Sequence, residues 1–328
     1  MKKLSIVIPN YNYGRFVGDA VRSALAVDWP DVEVIVVDDG STDDSLKVLA
    51  CFGDRITVLT QENSGPRVAC NHGYAESTGD VVIFLDSDDV LAPSIAQEIA
   101  SVWRAGISKV QVQMHRIDAD GRTSGRNLPH YRRTPTPNDI RRWMSATAAY
   151  PTPPGSGNAY ARAFLDRLMP LDDRCGDATD SACLAAAPYL GDVVTIPKPL
   201  VGYRVHGSNR SGLRADPARF VRQIDRAVQR QLFANAFSAE ARHRGDVMQQ
   251  LRRGRHLLQM RVAAHRVCGS TGESLSDTRM SLVRDAVVSP FAPGPEPIGY
   301  RLLAAGWSLT VLVLPTRVAV PMISWRFA

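Results

Sequence analysis

Val81-Val82-Ile83-Phe84-Leu85-Asp86-Ser87-Asp88-Asp89 is the stretch on which the fold turns. Five apolar residues run directly into three carboxylates within four positions. A short continuous apolar run reads as a strand buried on both faces, with the acids at its C-terminal end. Open α/β sheets bind ligands at that edge. Acids packed so closely repel one another unless a cation or a donor-rich ligand neutralises them. Hard oxygen ligands of this kind suit Mg²⁺ or Mn²⁺ holding substrate phosphates. The competing reading is an acidic turn that caps the helix near Pro93, and an Asp-x-Asp triplet alone does not separate the two.

Working outward, the first 90 residues alternate strand and helix. Leu4–Pro9, Val32–Val37, Ile56–Thr60 and Val81–Leu85 read as strands. Phe16–Val27, Asp44–Phe52, Val68–Ser77 and Ser94–Arg104 read as helices, the second capped by Ser41 or Thr42 with acids in its first turn. This alternation predicts an α/β fold with a mostly parallel sheet and helices on both faces. After residue 105 the pattern changes. Lys109–Ile117 reads as a strand entering a hairpin at Asp118-Ala119-Asp120-Gly121. Pro135–Pro154 reads as a helix between proline-rich loops, Gly155–Asn158 as a polar turn, and Thr179–Tyr189 as a buried helix. There is no internal repeat.

The chain of 328 residues is long enough for one large domain plus an appendage. Its net charge of +6 is unevenly placed. Residues 1–213 carry 22 Lys/Arg against 25 Asp/Glu, whereas residues 214–328 carry 17 against 8. A near-neutral domain over 1–213 is therefore expected to join a basic, helical region over 214–328. Five cysteines without Cys-x-x-Cys spacing argue against a disulfide framework or a zinc site. The N-terminal apolar run is too short for a secretion signal, which predicts a cytoplasmic protein.

Three strand ends supply polar groups: Pro9-Asn10-Tyr11-Asn12, Asp38-Asp39 and Asp86-Ser87-Asp88-Asp89. A nucleobase needs an aromatic ring for stacking and a carboxylate to accept its imide N–H. A second carboxylate can take ribose hydroxyls, and a third can hold a metal against a diphosphate. The glycine-rich dinucleotide fingerprint and the Gly-x-x-x-x-Gly-Lys-Ser/Thr loop are both missing from the sequence, which disfavours an ordinary dehydrogenase or kinase. Bland alternatives stand beside these roles: Tyr11 as a turn aromatic, Asp38 as a helix cap.

Ser5–Asn12, Val36–Asp43 and Phe84–Asp89 resemble the three signature segments of family 2 glycosyltransferases, in order and at fitting spacing. Gln61–Gly65, Asn71-His72-Gly73, Ser156–Tyr160 and Pro199–Asn209 extend the resemblance over roughly residues 4–211. It implies a GT-A fold, a nucleotide-sugar donor, UDP-linked in the commoner case, and Mn²⁺ or Mg²⁺ as cofactor. Carried over by position, Pro9, Tyr11 and Asp39 would hold the nucleoside. Asp86 and Ser87 would lie near the ribose and donor sugar, and Asp88 would bind the metal, with Asp89 capping or orienting. Arg204 and His206 would lie near the diphosphate, His206 either as a second metal ligand or as a structural histidine. Asp180 matches the second acid of the Glu-Asp pair that supplies the general base. Thr179 replaces the glutamate, and Asp177 is the rival base.

Two further departures narrow the reading. Ala69-Cys70-Asn71 lacks the arginine of the usual Ala-Arg-Asn, and nearby Arg67 is expected to replace its charge. No Gln-x-x-Arg-Trp motif and no multi-span membrane channel follow, which favours transfer of a single sugar over processive synthesis. The expected acceptor is a glycan or lipid-linked glycan of the cell envelope, with no nucleic acid as a partner. A nucleotidyltransferase and an inactive nucleotide-sugar-binding scaffold are the alternatives. Leu302–Thr316 is fifteen uncharged residues, short of the ~20 a spanning helix needs. It is expected to lie in the membrane interface with Trp307 and Trp325 at headgroup depth, helped by the basic region's attraction to anionic lipid.

Overall fold

The four predicted N-terminal strands form, and they form side by side. The computed structural model describes residues 1–175, 179–207, 217–237, 246–272 and 274–327. β1 (Leu4–Asn10), β2 (Val32–Asp38), β3 (Thr57–Thr60) and β4 (Val81–Phe84) pair in parallel, in the order β3-β2-β1-β4. The helices between them are α1 (Val17–Leu25), α2 (Ser45–Ala50) and α3 (Pro66–Glu76). Alternate residues of a strand face opposite ways, and both faces of this sheet are covered. Ile6, Ile8, Val34 and Val36 join the core that holds Val17, Ala20, Val21 and Ala24 of α1. Ile35 and Val37 pack the other way, on Ala69 of α3. Burial on both faces is why these strands read as unbroken apolar runs. Gly73 lets α3 lie close, since a Cβ there would sit 2.4 Å from Val7 Cγ1.

The rest of the sheet is mixed. After β5 (Val90–Leu91) and α4 (Ile95–Val102) comes the long β6 (Ile107–Ile117). Its expected hairpin is a turn at 118–122, and the returning chain makes only isolated bridges, at Thr123 and Leu128. α5 (Pro137–Thr147) precedes β7 (Asn158–Ala161), α6 (Arg162–Leu165), α7 (Thr179–Leu190) and β8 (Asp192–Arg204). β7 is antiparallel to β4 and β6, β8 is parallel to β6, and β5 is antiparallel to β8. The full order is β3-β2-β1-β4-β7-β6-β8-β5. The sequence pattern leaves β8 unassigned because Pro197 and Pro199 interrupt it. Both prolines fall in the exposed stretch where the β6–β8 register shifts, a bulge that spares them a ladder hydrogen bond.

The chain divides into two units, Met1–Pro137 with Pro151–Gly207 and Asn138–Tyr150 with Ser208–Ala328. The short segment 138–150, from within the sheet unit's span, belongs with the C-terminal helices. Those are α8 (Pro217–Phe237), α9 (Val247–Arg253), α10 (Arg255–Cys268), α11 (Arg279–Val288), α12 (Ile298–Val313) and α13 (Thr316–Phe327). Their shared core includes Ile224, Val262, Leu282, Leu312 and Ile323. Trp307 packs against this core, its ring 6.2 Å from that of Phe327. This corrects the expectation that Trp307 lies outward at headgroup depth; Trp325 alone of the pair is exposed. No helix among the described residues is long and apolar enough to cross a membrane.

Candidate active site

Because β2, β1 and β4 are parallel neighbours, their C-terminal ends share one sheet edge. Residues separated by up to about eighty positions in sequence thus meet there. Asn10 lies opposite Asp38 in the register, and its amide donates to Asp38 Oδ2 at 2.8 Å. Asp38 Oδ1 accepts the Ser41 amide, while Asn12 Oδ1 accepts the amides of Thr42 and Asp43. Asp38 and Asn12 therefore fix the two loops to each other. Gly40 between them has φ +77°, a region that favours glycine.

Asp39 is buried, and its carboxylate gathers the 61–65 segment. Oδ1 accepts from Gln61 Nε2 at 2.7 Å and from the Ser64 amide at 2.9 Å, and Oδ2 accepts the Gly65 amide at 2.8 Å. Gln61 Oε1 in turn lies 3.0 Å from His72 Nδ1. Gln61 and His72 extend the site in a way the sequence motifs only hinted at. Tyr11 is 36% exposed on the loop after β1, its ring open to solvent. Pro9 contributes its carbonyl, which accepts the Ser87 hydroxyl at 2.7 Å and ties the acid loop to β1.

The acid loop is the densest charge at this edge. Carboxylate oxygens of Asp86, Asp88 and Asp89 all lie within 4.8 Å of one another. Asp86 is exposed, and its amide donates to Ser156 Oγ at 3.0 Å. Asp88 Oδ2 is 3.0 Å from His206 Nε2. Asp89 is fully buried; Oδ1 accepts the Arg204 amide at 2.9 Å, and Oδ2 lacks a hydrogen-bond partner. Burial first, and then the charges of Asp86 and Asp88, push the Asp89 carboxyl well above the usual range, with the nearby Ser156 hydroxyl and the Arg204 amide pulling the other way. A buried, unpartnered carboxylate oxygen beside two further acids and an imidazole fits a hard divalent cation. Asp89, which the motif reading left as a capping or orienting residue, belongs to the group as fully as Asp88.

The loop is held from the end of β8. The guanidinium of Arg204, 2% exposed, donates to the Asp88 carbonyl at 2.7 Å and the Ala119 carbonyl at 3.0 Å, and pairs with Asp19 at 3.2 Å. Its charge lies 5.2 Å from the centre of the Phe16 ring. These bonds make Arg204 a clamp on the loop's main chain, and no motif in the sequence pairs it with these partners. His206 is wedged between the rings of Phe16 and Tyr13, which orients Nε2 toward Asp88.

Arg67 donates to the Leu171 carbonyl at 2.9 Å and pairs with Asp173, so its charge is spent on the 171–173 segment; Asn71 bonds the same segment through Leu171. Asp180 is in the first turn of α7, with its side chain outside the described residues, and Asp177 is outside them altogether.

The model of the family described as glycosyl transferase family 2 matches residues 5–169. An uncharacterized glycosyltransferase of Nostoc is 36% identical over 214 residues, covering 63% of this chain and 66% of the relative, just short of two thirds of its length. Among solved structures, Staphylococcus aureus TarS 1–349 in complex with UDP-GlcNAc aligns with a TM-score of 0.55 at 15% identity, over 94% of this chain and 90% of that one. The Pyrobaculum calidifontis mannosyltransferase PcManGT, in complex with GDP-Man and Mn²⁺, aligns with a TM-score of 0.53 at 20% identity, over 98% and 84%.

Proposed function

Given that this chain belongs to glycosyl transferase family 2 and has the GT-A fold, we propose that it transfers one sugar, with inversion, from a nucleoside diphosphate sugar to a hydroxyl of a glycan or lipid-linked acceptor. The observation that carries this reading is the Asp86–Asp88–Asp89 cluster with its buried, unpartnered oxygen, at the sheet edge that also carries Asp39 and Tyr11. Tyr11 stacks on the nucleobase, and Asp39 accepts its imide N–H. A UDP-sugar is the favoured donor, as the commoner nucleotide in this family. Asp86 takes hydroxyls of the ribose or donor sugar, while Ser87 and Pro9 keep the loop in register. Asp88 and Asp89, with His206, hold Mn²⁺ or Mg²⁺, and such a cation when bound offsets the charge of the departing diphosphate. Asp180 takes the acceptor hydroxyl proton as that oxygen attacks the anomeric carbon in line with the leaving group. General-base assistance of this kind contributes roughly 10²–10⁴-fold. An acceptor in envelope glycan synthesis places the enzyme at the cytoplasmic face of a membrane.

The deciding experiment incubates the protein with a panel of nucleotide sugars, Mn²⁺ and candidate acceptors and follows the nucleotide released. Release of a nucleoside diphosphate coupled to acceptor glycosylation is expected. Pyrophosphate release from a nucleoside triphosphate would instead mark a nucleotidyltransferase. Donor binding with no turnover across the panel would mark a scaffold.

A further inference from the structure

The helical unit turns apolar side chains outward at helical spacing. On α11 and the turn after it, Met280, Arg284, Val287 and Phe291 share one face, and Phe291 is 76% exposed. α12 packs beside α11 and exposes Ile298, Leu302, Leu303 and Val313, with Leu303 at 73%. Its only charged residue, Arg301, is folded back onto the carbonyls of Ala292, Gly294 and Glu296. A Cβ at Gly299 or Gly306 of α12 would meet nothing within 4 Å. Trp325 of α13 is 82% exposed. A solvent-facing side this apolar needs a cover, since the hydrophobic effect opposes leaving it wet.

Charge indicates what the cover is. Residues 214–328 carry a net +9. A surface hollow of about 450 Å³ is lined by Arg252, Arg253 and Arg284 with the apolar Met248 and Val288. Two acids also line it, and both are committed: Asp246 accepts the Met248 and Gln249 amides, and Asp285 accepts from Arg261 and Arg284. Arg253, and Arg317 of α13, pair with no carboxylate among the described residues. Apolar strips beside uncompensated arginines match the interface of an anionic bilayer, where acyl chains cover the first and lipid phosphates meet the second. The short, bent arrangement of α12 and α13 suits lying on a bilayer, as neither helix can span one.

We propose that the helical unit docks peripherally on an anionic phospholipid surface, through the outward faces of α11 and α12 with Trp325, and takes lipid phosphates at Arg253. This deepens the acceptor half of the proposed function, because a docked enzyme meets a lipid-linked acceptor in two dimensions. Binding is measured without donor or acceptor, so its failure is distinct from failure of the transfer reading.

The full chain is sedimented with phosphatidylglycerol–phosphatidylcholine vesicles and with phosphatidylcholine vesicles. It is expected to pellet with the first at low salt, to be partly released by high salt, and to stay in solution with the second. Phe291→Glu and Leu303→Glu should each lower partition by about tenfold or more, and Arg253→Glu by about fivefold. Phe291 and Leu303 are exposed, and Arg253 is half-buried with no carboxylate partner among the described residues, so melting temperatures should stay at the wild-type value. Wild-type protein that remains in the supernatant overturns the proposal, as does equal binding to neutral vesicles or wild-type partition of Phe291→Glu and Leu303→Glu. A wild-type dimer in analytical ultracentrifugation that Phe291→Glu and Leu303→Glu dissociate also overturns it, by assigning the face to a second copy of the chain.

Discussion

Asp89 at the sheet edge and Asp277 in the helical unit are both withdrawn from solvent, yet their surroundings treat charge in opposite ways. Asp277 receives a two-pronged bond from buried Arg261, at 2.6 and 2.8 Å, and another from Arg252. Burial works to raise its carboxyl, but the bonds and charge of Arg261, then the charge of Arg252, outweigh it and hold the group below the usual range. Asp89 has two acids for neighbours and no guanidinium on its side chain, and its carboxyl is pushed up. The helical unit neutralises Asp277 from within its own helices. The acid loop keeps three carboxylates together with one buried oxygen unpartnered, the arrangement that the proposed cation would complete. Mutual repulsion lowers stability there, which is the usual relation between a stable core and a binding site.

Breaking the two clusters should separate activity from stability, and the largest effects are on activity. Asp180→Asn should reduce turnover by roughly 10²–10⁴-fold with donor affinity retained; steady-state release of nucleoside diphosphate measures it, and an unaffected rate moves the base to Asp177. Asp88→Asn should lower turnover by about 10²–10³-fold while its melting temperature holds or rises, because the acid cluster loses one negative charge. Arg261→Met should do the reverse. It removes the buried guanidinium shared by Asp277 and Asp285, leaving them only Arg252 and Arg284, and should cost about 3–5 kcal/mol in urea denaturation, with turnover per folded molecule unchanged. Equal losses of both properties in both variants would erase the contrast.

Smaller effects sharpen it. Chelation with EDTA should abolish transfer, and Mn²⁺ at a hundredfold over its dissociation constant should stabilise the folded state by about 2.7 kcal/mol. The same addition should leave the melting temperature of Asp88→Asn nearly unmoved. Asp39→Ala should weaken donor binding by an amount on the order of 1–3 kcal/mol in calorimetry, through loss of the acceptor for the base and loosening of the 61–65 segment. The smallest effect lies far from both clusters. Burial raises the Glu33 carboxyl, but bonds from Lys3, Ser5 and Thr78 outweigh it and lower the group from 4.5 to about 2. Its stabilisation is therefore complete above pH 4.5 and is lost as pH falls toward 2. Allowing for screening at a partly exposed site, it is worth about 1–2 kcal/mol. Glu33→Gln should flatten the melting curve's dependence on pH across that window.

The parts of the fold that were legible are those whose burial leaves a one-dimensional trace. β1, β2 and β4 are covered on both faces and read as apolar runs, and α1 places Val17, Ala20, Val21 and Ala24 on one side. β5 has two residues, too few to carry any period, and β7 hid behind a turn-like Gly-Ser-Gly. Pro197 and Pro199 disguised β8, since the bulge that tolerates them exists only once β6 is alongside. Arg67 lies near the position of the missing arginine in sequence, and its guanidinium meets Leu171 and Asp173, partners that proximity in sequence does not name.

The sequence by itself determined that acids and an aromatic stand at the ends of consecutive buried strands, and that the last third of the chain is basic and helical. Strand ends of a parallel sheet must collect at one edge, so that much of the site needed no coordinates. Tertiary structure decided which acids become partners. Asp88 meets His206 across 118 residues, Arg204 closes on the Asp88 carbonyl across 116, and Trp307 turns inward while Trp325 turns out. Periodicity records whether a residue is buried. It does not record what the residue is buried against, because that depends on the register and packing of segments distant in the chain.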